Sequence, residues 1–213
     1  AAEMMSQLER SGASIYLYPT IEIQPIKDQS RLKHFLKSSE RFDWLILTSI
    51  NAIKILKQCA QAQGINLSER FSASKIAVVG QQTATALKNI SLKADIYPEE
   101  AVAEQLAEAL IATGIKDKSC LYLRAAMARD ILKTQLEAAG AQFQDIVLYE
   151  TLLPDNNDVA RAAKALQNGS IHLVTFTSAS SVDNFKKSFA DYNLKDLLKH
   201  VQIASIGPIT SAA

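Results

Sequence analysis

The 213-residue sequence predicts an α/β protein of two similar domains, each a mostly parallel sheet flanked by helices, joined by a two-stranded connector. Three observations predict it. Short β-rich apolar runs alternate with helical spacing from end to end, the pattern of parallel strands with covering helices. Two motifs recur in the same order at nearly the same separation, and a third recurs out of order, which a discontinuous domain accommodates.

Strands are expected at 14–18, 43–48, 75–79, 94–97, 120–124, 145–152, 171–176 and 201–206. Helix-compatible spacing covers 28–39, 51–63, 82–89, 101–112, 129–139, 158–167, 180–189 and 192–199. Gly12, Gly64, Gly114, Gly140 and Gly169 each follow a helical stretch, where a C-cap favours a residue that tolerates positive φ.

The repeat begins with "FDWLILTSINAIKIL" at 42–56 and "IHLVTFTSASSVDNF" at 171–185. Gly80 of "KIAVVGQQTATAL" lies 32 residues beyond Thr48, and Gly207 of "VQIASIGPITSAA" lies 30 beyond Thr177. The third match, "QLERSGA" at 7–13 and "QLEAAGA" at 135–141, closes one copy but opens the other. The expected domains are therefore 26–145, continuous, and 1–17 plus 155–213, discontinuous and incomplete at both ends. Segments 18–25 and 146–154, β-branched and ending near Pro, are the expected connector strands.

Composition narrows the function classes. Hydrophobic residues make up 48% and charged residues 21%, enough for a substantial core and against disorder. With 23 basic against 22 acidic residues, the net charge of +1 gives no footprint for nucleic acid or an anionic membrane. No apolar run approaches the roughly 18 residues of a membrane span and no leader is visible, so a cytoplasmic location is the default expectation. Cys59 and Cys120 fit reduced, buried thiols; the spacing of His34, His172 and His200 offers no metal site.

At a strand-to-helix turn about four backbone N–H groups lack intrahelical partners. Ser, Thr and Asn cap them, and the remaining amides with the helix dipole suit anions. Thr48, Ser49 and Asn51 precede one helix; Thr177, Ser178, Ser180 and Ser181, with Ala179 between them, open its counterpart. Gly80 with Gln82 and Thr83, and Gly207 with Thr210, repeat the device on the neighbouring strands. Since ligands of open α/β sheets bind beyond the carboxyl ends of the strands, four such turns are expected to line one inter-domain cleft. No dinucleotide or triphosphate loop is present, so carboxylates or simple phosphates are the better ligands.

Arg124 ends a strand and Arg129 opens the next helix, where guanidinium groups either clamp carboxylates or lie solvated at the surface. Tyr149 lies in a connector; its phenol either donates a proton into the cleft or packs the hinge. Glu99-Glu100 reads as helix N-terminal charge.

In order, "DWLILTSINAI", "IAVVGQQTATAL", "LYLRAAMARDIL", "VLYET", "FTSASSV" and "SIGPITSAA" resemble the uroporphyrinogen-III synthase family over nearly the whole chain. The resemblance implies two α/β domains on a two-stranded connector. It also implies cyclisation of the linear hydroxymethylbilane to uroporphyrinogen III, with loss of water and inversion of ring D. It implies no metal and no organic cofactor, a linear tetrapyrrole polycarboxylate as substrate, a monomer, and transient contact with the upstream deaminase. Tyr149 then matches the family's cleft tyrosine. Thr48, Ser49, Thr83, Ser178 and Thr210 match cleft-lining hydroxyls. Ala125 stands where bacterial relatives often carry Gly. The competing expectation is a non-enzymatic two-lobed binding module for a small polyanion. A phosphate enzyme using the same turns is disfavoured by the missing phosphate loop.

Overall fold

The structure, a computed structural model, describes residues 2–155 and 157–213; Ala1 and Asn156, which fall in the expected discontinuous domain, lie outside the described residues. The chain divides into two compact units, Ile23–Thr151 and Ala1–Glu22 with Leu152–Ala213. Both are α/β, as the alternating pattern predicts.

In the unit Ile23–Thr151, five strands lie in the order β1-β5-β4-β2-β3: β1 Glu22–Pro25, β2 Trp44–Leu47, β3 Lys75–Val78, β4 Ser119–Ala125 and β5 Gln142–Leu152. The pairs β2–β3, β2–β4 and β4–β5 are parallel. The central strand β2 is buried along its whole length, which explains why "WLIL" is an unbroken apolar run rather than an alternating one. Its successive side chains feed two separate cores. Leu45 and Leu47 join Leu121, Leu123 and Ile146 under helices α2 (Ser30–Lys37), α3 (Ile50–Ala62), α4 (Leu67–Arg70) and α5 (Gln81–Lys88). Trp44 and Ile46 join Cys120 and Tyr122 under α6 (Ala103–Ile111) and α7 (Ile131–Ala138). Helices on both faces make the sheet doubly wound. Gly64, next after the Gln63 C-cap of α3, takes φ 66°, the left-handed conformation favoured just past a helix end.

The other unit holds α1 (Ala2–Arg10), α8 (Val159–Gln167), β6 (Leu173–Phe176), α9 (Ala179–Ser188), α10 (Leu194–Leu197), β7 (Gln202–Ser205) and α11 (Pro208–Ala212). Strands β6 and β7 pair in parallel. The core is aromatic: Phe185 and Phe189 stack with centroids 4.5 Å apart, with Phe176 and Tyr18 edge-on to Phe185. Such pairs add about 0.5–1.5 kcal/mol beyond the area they bury. Cys59 and Cys120 are both free and buried.

Several expected elements change. Residues 14–18 form no strand: the segment has no ladder partner among the described residues, and the carbonyls of Pro19 and Thr20 just beyond it accept from Asn157 and Asn184 side chains instead. A propensity for β structure does not make a strand without a neighbour to pair with. Residues 94–97 contract to a single bridge between Ile96 and Ala77, because Asp95 turns its carboxylate onto the Ile76 amide at 2.7 Å. Of the connector 18–25 only Glu22–Pro25 is a strand, lying beside β5, while of 146–154 the part up to Leu152 belongs to a strand that begins earlier, at Gln142. Along β7 every residue is exposed, although "VQIAS" reads as a core strand.

Candidate functional site

Because β2, β3 and β4 run parallel, their carboxyl ends meet at one edge. Leu47 pairs with Val78 and with Leu123, so Thr48, Val79 and Arg124 stand level there. Ser49 is extended and caps α3, its side chain accepting from the Asn51 amide at 3.0 Å. Gly80, one strand over, is also extended, at φ 179°, and opens α5 with no side-chain cap. Thr83, three residues on, is buried. The amides of the first turn of α5, at Gln81, Gln82 and Thr83, therefore face no capping side chain and remain available to an anion. An alanine at Gly80 would put its Cβ 2.7 Å from Ala101 Cβ, so close approach rather than positive φ demands glycine.

The second unit repeats this in detail. Ser178 is extended and caps α9, accepting from the Ser181 amide at 3.1 Å; its hydroxyl also lies 3.1 Å from that of Ser180, and Ala179 is the first helical residue. Gly207 takes φ 176° and opens α11 uncapped, with Thr210 buried three residues on. The repeat extends to a feature that sequence reading missed. Asn66 caps α4 by accepting from Ser68 N, and Asn193 caps α10 by accepting from Lys195 N. Each Asn stands 14 residues before its glycine, in "NLSERFSASKIAVVG" and "NLKDLLKHVQIASIG". Asn-Leu at that fixed distance from Ile-x-x-x-Gly was the available signal.

Neither arginine is free. Arg124 is largely buried, with its Nη1 2.8 Å from Asp130 and its Nε 3.4 Å from Asp145, an ion-pair distance without hydrogen-bond geometry. Arg129 is exposed and binds Glu104 through both nitrogens, at 2.6 and 3.1 Å. The Glu104 carboxyl is held below its usual range by its own backbone amide and by Arg129. The clamp expected of these two guanidinium groups thus closes on carboxylates of the chain itself, which pin the β4–α7 turn.

Tyr149 is 6% exposed and its ring belongs to the same apolar cluster as α3 and α5. It gets there through a bulge: Arg124 pairs with Val147, then Ala125 with Tyr149, leaving Leu148 unmatched. The Ala126 amide donates to the Tyr149 carbonyl at 2.8 Å and fixes the offset. Tyr122, not singled out by sequence, reaches this edge too: its hydroxyl lies 2.8 Å from Thr48 Oγ1. Burial pushes the Tyr122 phenol above its ordinary value; the Thr48 bond and Arg124 draw it back, and the Tyr149 and Asp145 charges would raise it. A pocket of about 150 Å³ lined by Asp43, Trp44, Lys75 and Lys118 lies at the opposite edge of the sheet, away from these turns.

Among the described residues no three His, Cys, Asp or Glu side chains gather as a metal site would need, and no helix is long and apolar enough to cross a membrane.

Comparison with known proteins follows the same lines. The family described as "Uroporphyrinogen-III synthase HemD" matches residues 2–213. The uroporphyrinogen-III synthase of Synechococcus elongatus is 34% identical, over 97% of this chain and 78% of that protein. The "Porphyrin biosynthesis protein HemD" of Ruminiclostridium josui is 31% identical over 91% of this chain, which spans only 38% of that longer protein. In fold, the chain resembles the uroporphyrinogen III synthase of Thermus thermophilus (TM-score 0.64, 17% identity, covering 99% of this chain and 82% of that one). It also resembles that of Helicobacter pylori (TM-score 0.61, 21% identity, 94% and 83%). With that family model spanning residues 2–213 and a relative 34% identical over 97% of this chain, the chain belongs to the uroporphyrinogen-III synthase family.

Proposed function

We propose that this chain acts as a uroporphyrinogen-III synthase, a cyclising hydro-lyase that closes hydroxymethylbilane with inversion of ring D. The observation that carries this reading is the doubled turn geometry inside a family match over residues 2–213. Ser49 and Ser178 cap equivalent helices, and Gly80 and Gly207 open uncapped ones with nearly identical dihedrals. Backbone amides presented this way hold carboxylates without a basic patch, which suits a polyanionic substrate on a chain of net charge +1.

The chemistry asks little of side chains. The C–O bond of the ring A hydroxymethyl group breaks as the pyrrole pushes electrons toward it, and the departing hydroxide takes a proton to leave as water. Attack of the substituted α-carbon of ring D on the resulting azafulvene gives a spiro intermediate. That intermediate fragments and recloses through the free α-carbon of ring D. This carbon then loses its proton to restore the pyrrole, balancing the proton taken by the departing hydroxide and leaving ring D reversed. The substrate supplies electrophile and nucleophile, so the protein contributes by folding the chain and disfavouring uninverted closure. Tyr149 is assigned the proton to the leaving hydroxyl, a role one weak acid fills.

The assay is direct. Hydroxymethylbilane generated in situ closes unaided to the type I isomer; with the protein, chromatography should show type III in its place. Type I alone, from protein folded by circular dichroism, ends the proposal. Tyr149→Phe should lower kcat by about 10²-fold, the low end of general acid catalysis. Undiminished turnover removes Tyr149 from any acid role.

A further inference from the structure

Thr48 makes one side-chain hydrogen bond among the described residues, to the phenol of Tyr122 at 2.8 Å. The two come from neighbouring parallel strands. Ile46 pairs with Tyr122, so Thr48, two residues further, faces the same side and stands one step closer to the carboxyl edge. The Tyr122 ring is 3% exposed, clustered with Ile46, Cys120 and Leu132, and lies edge-on to Phe143 with centroids 6.1 Å apart. Packing fixes the ring and leaves its hydroxyl as the one polar group it can place.

Either oxygen could donate on geometry alone. Acidity decides: a phenol is a stronger acid than an aliphatic alcohol and so the better donor. Burial keeps Tyr122 protonated at neutral pH. Thr48 Oγ1 then accepts, and its own proton is left to point elsewhere. The neighbouring Ser49 hydroxyl is engaged in capping, accepting from the Asn51 amide.

We infer that Tyr122 is a positioning residue: its hydroxyl turns Thr48 into a directed donor toward a carboxylate of the bound substrate. The inference rests on the proposed function for the identity of the ligand. Hydrogen bonds in series polarise one another, so the phenol both orients the threonine hydroxyl and strengthens the bond it gives. Nothing in the alternation of "CLYLR" distinguishes this tyrosine from a core aromatic; only the strand register brings it to Thr48.

Tyr122→Phe keeps the ring and removes the hydroxyl. The KM for hydroxymethylbilane and the Kd for uroporphyrin III, followed by absorbance, should each rise about three- to tenfold, as loss of one neutral hydrogen bond produces. The kcat should stay within about twofold, since a carboxylate remote from the reacting carbons is gripped alike in ground and transition states. Thr48→Val should weaken binding at least as much, and adding Tyr122→Phe to it should change nothing further. A merely structural tyrosine would lower the unfolding midpoint and leave KM and Kd where they were. Wild-type affinity in Tyr122→Phe overturns the inference, as does the same loss in both backgrounds. If the wild-type protein yields only type I product, the synthase reading fails by itself, and the uroporphyrin III affinities still decide the role of Tyr122. A wild-type protein that does not bind uroporphyrin III overturns the inference as well.

Discussion

Substituting alanine at Gly80 and, separately, at Gly207 asks what each glycine does, since the two hold equivalent places in the repeat and nearly the same backbone. Neither lies in the left-handed region, at φ 179° and 176°, so a methyl group brings no backbone strain at either. Both substitutions place alanine at a helix N-cap, a penalty common to the pair. They differ in what the new methyl meets. At Gly80 it lies 2.7 Å from Ala101 Cβ and 3.5 Å from Ala101 Cα; at Gly207 it meets nothing within 4 Å. Carbons rest at about 3.5–4.0 Å, so the segment before α6 has to open by roughly 1 Å. Ala101 has no rotamer to yield with, and the backbone must move. Overpacking of this kind costs about 1–3 kcal/mol. In a chain of this size each kcal/mol lowers Tm by about 2–4 °C. Gly80→Ala should therefore melt roughly 2–12 °C below Gly207→Ala by circular dichroism. It should also bind uroporphyrin III more weakly, because the uncapped amides of α5 move with the turn. Equal melting temperatures would show that the Ala101 contact relaxes freely, and the close-approach argument for Gly80 would be wrong.

Further outcomes follow from single groups. Burial pushes the Cys120 thiol up to about 12 and raises Cys59 as well. At pH 8 the Cys120 thiolate is then on the order of one part in ten thousand. Native protein should leave an aromatic disulfide reagent unconsumed for hours and react at both thiols once denatured; a fast thiol in the native protein contradicts this. The Asp43 carboxyl is held below its usual range chiefly by the Ser119 amide, with help from the Ser119 hydroxyl and Lys118 against the cost of burial. A depressed carboxyl stabilises fully above its unfolded value of about 3.9 and loses that contribution as pH falls through the folded value. Asp43→Asn should thus unfold at lower urea than wild type at pH 7, with the gap closing below about pH 4; a constant gap down to pH 3 refutes the linkage. Ser49→Ala and Ser178→Ala remove caps of the same geometry, and each should cost about 1 kcal/mol in denaturant titrations. Losses differing by more than about twofold would mean that something other than capping acts at one of them.

What the sequence made legible was local chemistry repeated at a fixed spacing. Thr-Ser followed by Gly about thirty residues later fixed two strand-to-helix turns in each half, and the structure gives those turns matching caps and dihedrals. Pairing was less legible, because a strand is defined by its neighbour. The segments 14–18 and 94–97 read as strands, yet 14–18 has no ladder partner among the described residues and 94–97 keeps only the single bridge of Ile96 to Ala77. Charge pairing was hidden for the same reason. Arg129 meets Glu104 across 25 positions of chain, and Arg124 meets Asp145 only because β4 and β5 are adjacent. Tyr122 looked like an ordinary core aromatic until the β2–β4 register put its hydroxyl beside Thr48.

Tyr149 shows how far a single irregularity reaches. Along β5 the two-residue period sends Ile146 and Leu148 toward α3 and α5, and would send Val147 and Tyr149 to the opposite face, level with Arg124. There the phenol would stand among Asp145, Arg124 and Asp130, whose ion pairs crowd the space. The unmatched Leu148 cancels that alternation. Register partners in a parallel pair share a face, so Tyr149 goes with Ala125 and joins the cluster beneath α3 and α5. Those are the helices whose first turns Ser49 caps and Gly80 leaves open. One extra residue in β5 thus moves the phenol from the face carrying the ion pairs to the face covered by α3 and α5. Bulges that re-aim a side chain in this way concentrate beside functional sites. Under the proposed function, this placement puts Tyr149, the proposed acid, on the same face of the sheet as α3 and α5, whose first turns are proposed to hold the substrate's carboxylates.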